Sequence, residues 1–244
     1  MILQGKKILI TGAARRVGRS LALAVANAGG DVALHHGHSA KEAVQLQAEI
    51  QALGRQATIW QADLADPRQA QALIEQASAS GPLFGLVNNA AVFEPLAWDQ
   101  TGLDAWQRHL AINLTAPFVL SQAFARAHAS GSAGAEGRIV NILDWRALRP
   151  GPDHLPYTVS KAALAALTQA LAQALAPAIT VNALALGAIL PPSDGAVNPR
   201  LLESVPAGRW ATSDEVGQAL LFLLAGPAYV TGEIIHVDGG RHLV

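Results

Sequence analysis

The sequence contains no cysteine, which excludes disulfides, thiolate nucleophiles and cysteine-ligated metals together. Aromatic residues make up 5% of the chain and charged residues 14%, so alanine and leucine must build most of the interior. Neither sign of charge dominates: 17 basic and 18 acidic side chains leave a formal net charge of −1. That balance speaks against a surface dedicated to nucleic acid or to anionic membranes. Every long apolar run is interrupted by a polar residue or proline, so no membrane span is expected. The opening MILQGKKILITG passes from two lysines straight into a short strand pattern, without the apolar core or cleavage site of a signal peptide. A cytoplasmic location is expected, and no metal site.

What is present is an alternation. Short β-type runs at Lys7–Ile10, Asp31–His35, Gln56–Gln61, Gly85–Asn88, Gly137–Ile142, Thr180–Leu186 and Glu233–Val237 are separated by longer helical patterns. The helical stretches include Gly18–Ala28, Ala40–Leu53, Pro67–Ser78, Asp104–His128 and Leu155–Leu175. Buried runs separated by helices predict a parallel, doubly wound α/β sheet with helices on both faces and right-handed crossovers. No linker or internal repeat divides residues 1–244, so a single domain is expected. Asp66 before Pro67 predicts a helix start, Thr212 and Glu215 have capping-box spacing ahead of Val216–Leu224, and Pro177 predicts a helix end. Ser130–Glu136 reads as a mobile surface loop, and the proline-rich Leu190–Pro206 as either a flap over a site or an ordinary long loop.

The segment Lys7–Ser20 runs from a strand through a tight turn into a helix. Gly12 permits the turn and Gly18 lets the helix approach the sheet. The amides from Gly12 through Arg15, Arg16 and Val17 to Gly18, with the helix dipole, suit a pyrophosphate. Enzymes that use NAD usually place an acid at the end of the second strand, and here the residues are His35-His36-Gly37-His38-Ser39. Arg15, Arg16, His38 and Ser39 can instead offer charge and hydrogen bonds to a 2′-phosphate, so NADP is expected; the alternative is that the histidines are exposed loop residues. Tyr157 and Lys161 share a helix face, where the ammonium is expected to draw the phenol down from its ordinary pKa of about 10. Asp144 lies thirteen residues before Tyr157 and adds a carboxylate to the pair.

Thr11-Gly12 with Gly18, Asp63-Leu64, Asn88-Asn89-Ala90, Asn113, Tyr157 with Lys161, and Val237-Asp238-Gly239-Gly240 appear in an order that resembles the short-chain dehydrogenases/reductases across almost the whole chain. The resemblance implies a single Rossmann-type sheet of seven strands, NADPH/NADP as cofactor, and a homotetramer. It implies that Asp63 and Leu64 lie by the adenine, and that Asn89, Ala90 and Gly187 line the cofactor cleft. It also implies that Asn113 holds a relay water near Lys161, which in turn binds the nicotinamide ribose.

A narrower likeness is carried by Arg16 at the middle glycine of the loop, Asp144 at the usual serine, Phe93 after the Asn-Asn-Ala segment, and the ending Asp238-Gly239-Gly240-Arg241-His242-Leu243. These look like pteridine reductases and the bacterial dihydromonapterin- and dihydrofolate-reducing relatives. The likeness implies a pterin or folate substrate stacked on Phe93, with Asp144 and Tyr157 assisting protonation and Arg16 contacting cofactor phosphate and substrate. The alternatives are a short-chain carbonyl or 3-oxoacyl reductase and, from another class, a non-catalytic NADP-sensing protein. Plainer roles remain open for single residues: core packing for Phe93, a cap or an ion pair with Arg146 or Arg149 for Asp144, a solvated side chain for Arg16. Arg241 and His242 either reach a neighbouring subunit's site or form an exposed tail.

Overall fold

The computed structural model describes residues 1–130, 136–190 and 200–244. The expectations for the two loops therefore fall largely outside the described residues, at 131–135 and 191–199. Seven parallel strands form one sheet in the order β3-β2-β1-β4-β5-β6-β7, with β1 Lys7–Ile10, β2 Asp31–His36, β3 Ala57–Gln61, β4 Gly85–Asn88, β5 Gly137–Asp144, β6 Ile179–Leu186 and β7 Ile234–Val237. The helices are α1 Arg16–Asn27, α2 Ala40–Ala52, α3 Pro67–Ser78, α4 Leu103–Leu110, α5 Ala116–Ala129, α6 Leu155–Leu175, α7 Arg200–Glu203 and α8 Ser213–Ala225.

Alternation along each strand divides the core between the two faces. Ile8, Ile10, Val32 and Leu34 pack with α1, α2 and α8 through Leu21, Val25, Leu46, Ile50, Val216 and Leu220. Leu9, Ala33, Leu86 and Ile139 face the other way, onto Leu73 and Ile74 of α3, Leu120 and Phe124 of α5, and Ala172 of α6. The helix signals work as read. Asp66 accepts from Arg68 N at 2.9 Å, Thr212 and Glu215 form a full capping box, and α6 stops at Leu175 before Pro177.

One expected element is corrected. The apolar period from Asp104 to His128 is not one helix, because a π-helical turn at Ala111–Thr115 separates α4 from α5. Pro117 has no N–H to give the carbonyl of Asn113, so the regular bond between these residues is impossible and the backbone widens where the candidate Asn113 sits.

A buried polar ladder crosses the sheet centre. Asn88 Nδ2 donates to Asn141 Oδ1 at 2.8 Å, and Asn141 Nδ2 donates to Thr168 Oγ1 of α6 at 2.9 Å. Asn88 and Asn141 are register partners on β4 and β5.

Candidate active site

All the catalytic candidates and the phosphate loop gather at the C-terminal ends of the parallel strands, around β1, β4 and β5, where an open α/β sheet offers a crevice. Gly12 follows β1 with φ +61, and a Cβ there would stand 3.0 Å from Ala90 Cα. A Cβ on Gly18 would meet Gly12 O at 2.1 Å and Asn89 Nδ2 at 2.7 Å, so only glycine lets α1 press onto the turn. Asn89 ties the same corner together, donating from Nδ2 to Thr11 O and Gly12 O at 2.8 and 3.1 Å, while Thr11 Oγ1 accepts from the amides of Asn89 and Ala90. Asn89 and Ala90 thus shape the cleft by holding the β1 and β4 ends together.

Arg16, at the loop position where the family has glycine, adopts φ +52, the left-handed region that an arginine enters at a cost of about 1 kcal/mol. Arg15 caps α1 without a side-chain bond, and no acidic residue lies in the first turn, so the dipole end is left to an anion. Arg16 Nη2 also reaches Leu190 O at 3.4 Å, and Val17 packs partly against the core. Next to them lie the α2 start and the β3 end. Ser39 precedes α2 with no side-chain cap bond, His38 is exposed, and Arg15 pairs loosely with Glu42 at 3.6 Å. Gly37, His38, Ala62, Asp63 and Gln69 line a cavity of about 340 Å³ there. Leu64 turns its side chain into the core instead.

His35, grouped by sequence with the loop histidines, is instead buried in β2 and built into the loop. Its Nδ1 accepts from Gly12 N at 3.1 Å and its Nε2 donates to Ala62 O at 3.1 Å. Burial holds it at about 4, neutral, the form this bonding requires. The available signal was its place inside the predicted second strand, which is buried on both faces.

Asp144 ends β5 and Tyr157 and Lys161 lie on α6, within its buried stripe. Tyr157 Oη donates to Asp144 Oδ2 at 3.4 Å, a long contact for an O–H donor. Lys161 Nζ donates to Ile142 O at 2.6 Å and sits 5.8 Å from the Tyr157 ring. Burial lowers Lys161 to about 8 against the opposing pull of Asp144. The expected depression of the phenol is corrected: burial first, and then the Asp144 carboxylate, push Tyr157 well above 10, with Arg146 opposing. Tyr157 therefore stays a protonated phenol at neutral pH.

Asn113 is committed through its side chain. It clamps Val92 from both sides, accepting from Val92 N at 2.8 Å and donating to Val92 O at 2.9 Å, and donates to Ser160 Oγ at 3.0 Å. Glu94 pairs with Arg108 of α4, so Phe93 is fixed between two anchored neighbours. Phe93 is 54% exposed and so is not core packing. It stands edge-on to Tyr157 at 4.7 Å and stacked on His154 at 4.2 Å.

Arg146, an expected partner of Asp144, closes this cluster together with Asp153 and His154, which sequence reading missed. Asp144 Oδ1 caps Arg146 N at 2.8 Å and lies 3.5 Å from its Nη1; Arg146 Nη2 bonds Asp153 Oδ2 at 2.8 Å; that carboxylate meets His154 Nδ1 at 3.0 Å. A ring of contacts thus returns from Tyr157 through Asp144, Arg146, Asp153, His154 and Phe93 to Tyr157. The Arg146 side chain holds Asp153 down at about 2. Both plainer roles of Asp144, cap and ion pair, hold alongside its contact with Tyr157. Gly187 has a packing reason: a Cβ would lie 2.6 Å from Asp238 Cα.

The family model described as Enoyl-(Acyl carrier protein) reductase matches residues 12–242. The chain belongs to the short-chain dehydrogenase/reductase family. A curated relative, the 3-oxoacyl-[acyl-carrier-protein] reductase of Synechocystis, is 32% identical to this chain over 95% of each. The solved FolM alternative dihydrofolate reductase 1 from Brucella canis, complexed with NADP, is 35% identical over 100% of this chain and 97% of that one, with a TM-score of 0.91. A short chain dehydrogenase from Burkholderia cenocepacia, in complex with NADP, is 35% identical over 99% of each chain, with a TM-score of 0.92. The doubly wound seven-stranded fold is that of the family, and the Asp144–Tyr157–Lys161 set lies in an oxidoreductase.

Proposed function

We propose that the protein is an NADPH-dependent reductase of pterin-type substrates: a dihydropteridine, dihydromonapterin or dihydrofolate. The observation that carries this reading is the Tyr157–Asp144 contact set beside the exposed Phe93. An aromatic wall suits a flat heterocycle. A carboxylate accepts from its N–H edge, and the Tyr157 phenol beside it, protonated at neutral pH, is the proton source for a ring nitrogen. The Brucella FolM structure supports the choice of substrate class.

The loop fits a dinucleotide. Gly12 and Gly18 let α1 press onto the turn so that its first amides face the cleft, the α1 start carries no acid, and the second strand ends in His36 where NAD enzymes favour an acid. Arg15, Arg16, His38 and Ser39 would hold the 2′-phosphate and pyrophosphate, with Lys161 at the nicotinamide ribose. NADPH, when bound, supplies the hydride. Phe93 orients the substrate, Asp144 accepts its N–H group, and Tyr157 donates the proton.

The second reading, a 3-oxoacyl reductase, is favoured by the Synechocystis relative. In that reading Asp144 stands in for a polar serine. NADPH oxidation against dihydrobiopterin, dihydromonapterin, dihydrofolate and an acetoacetyl thioester separates the two, with Asp144→Ser as the variant. Serine still caps Arg146 N, so the turn survives. Pterin turnover that falls at least about tenfold in Asp144→Ser supports the proposal. Thioester turnover without pterin activity, retained in Asp144→Ser, overturns it. A homotetramer belongs to the same reading, supported by Phe118 of α5 and Val159 of α6 left exposed; sedimentation at a single smaller mass would remove it.

A further inference from the structure

The indole of Trp145 is in contact with two guanidinium groups. Arg146 Cζ is 4.8 Å from its ring centroid and Arg241 Cζ is 4.5 Å away. Cation–π contact alone explains one such neighbour. Two like charges sharing one ring need further anions, and the two arginines differ sharply in what they have. Arg146 is held by Asp144 and by both oxygens of Asp153. Among the described residues Arg241 has no carboxylate within ion-pair distance. The fields of Asp144, Asp153 and Asp238 reach it, but burial and Arg146 outweigh them and weaken its hold on its proton.

The tail is built, not frayed. Gly239 and Gly240 turn at φ +65 and +84, and Asp238 accepts from Gly240 N at 3.0 Å and from His242 N at 2.8 Å. His242 adds an Nδ1 contact to the same carboxylate and stacks on His236 at 3.9 Å. These bonds fold the last turn back onto its own subunit and set Arg241 over Trp145, the residue following Asp144.

We propose that Arg241 is an anion-recognition residue at the mouth of the site. It takes a carboxylate or phosphate carried on the part of the substrate that projects away from the reacting group, with Trp145 as the apolar wall along that arm. A guanidinium fork already stacked on a ring is oriented for such an anion and loses little freedom on binding it. The inference rests on the proposed reductase site for where the substrate lies, but not on which ring is reduced.

The test uses matched substrate pairs that differ in the anion. Dihydrofolate is compared with dihydrobiopterin, and acetoacetyl-coenzyme A with acetoacetyl-N-acetylcysteamine, each with NADPH and the full chain. The first pair reports a carboxylate and the second a phosphate. Arg241→Met keeps the stem over Trp145 and removes the charge; Arg241→Lys keeps charge without the fork. In Arg241→Met the ratio of KM for the anionic member to KM for the neutral one should rise about tenfold to a hundredfold, with Arg241→Lys between. Added salt should raise the anionic KM of the native protein and much less that of Arg241→Met. An unchanged ratio in a pair that the native protein turns over overturns the inference while leaving the reductase reading intact. So does an equal loss of kcat for both members, since that is support of Trp145 and not recognition. Turnover of neither pair by the native protein removes the reductase reading and this inference together.

Discussion

His35 bonds the phosphate loop through an acceptor nitrogen and sits in β2 with its ring held at about 4 by burial. An unfolded histidine titrates near 6.5. The folded value is the lower one, so the unfolded chain binds the extra proton first. The stabilising effect of the neutral ring is complete above about 6.5 and is lost as pH falls toward 4. Between roughly pH 7.5 and pH 5 this one side chain should remove about 2 kcal/mol of stability. For a chain of this size that is a fall of about 4–8 °C in Tm. Protonation also turns Nδ1 into a donor facing the Gly12 N–H, so NADPH affinity should weaken over the same range. His128 and His236, also lowered by burial, push stability the same way, so the decisive quantity is a difference between proteins. Thermal unfolding of native and His35→Gln protein at the two pH values isolates it, because glutamine does not titrate. An equal Tm drop in both proteins would refute the reasoning.

Lys161→Met should abolish turnover yet raise stability at neutral pH. Keeping the buried ammonium protonated costs about 3 kcal/mol, from a value of about 8 against 10.5, and losing the bond to Ile142 O returns about 1 kcal/mol of that. Denaturant midpoints at pH 7 check this, and a variant less stable than native refutes it. The native ammonium's penalty fades as pH rises from 8 to 10.5, so the gap between the two proteins should close there. Arg16→Gly should relieve the φ +52 backbone and leave stability within about 1 kcal/mol of native or above it, while NADPH binds about tenfold more weakly by titration calorimetry. Unchanged NADPH affinity would assign Arg16 to the loop's shape alone.

Most of the sheet was legible because its strands are short apolar runs bounded by glycine, aspartate or asparagine. Their boundaries shift by at most two residues, as where β5 runs on to Asp144. The merged helix failed where the apolar period continued across Pro117, a residue whose missing N–H was the signal that should have ended it. The positions of Asp144, Tyr157 and Lys161 could be read from spacing, and Arg16 as a substituted glycine. The phenol's environment could not, because burial of Tyr157 against Asp144 depends on how β5 and α6 pack. Nor could Arg146–Asp153–His154, whose contacts cross a turn with no periodic pattern.

The paired asparagines at the sheet centre carry a consequence for how the chain finds its fold. The strands around them are nearly interchangeable strings of valine, isoleucine, leucine and alanine, each able to bury itself in several alignments. Sliding β4 by one residue against β5 would turn Asn88 to the opposite face and strand its amide in apolar surroundings, while Asn141, still bonded to Thr168, would lose the donor to its Oδ1. Each group left without its partner carries a penalty of about 1–3 kcal/mol, and no hydrophobic gain distinguishes the wrong alignment from the right one. The two side chains therefore act as an address label on otherwise anonymous strands. A double exchange to leucine should leave a protein that folds more slowly and less uniquely, whatever its final stability.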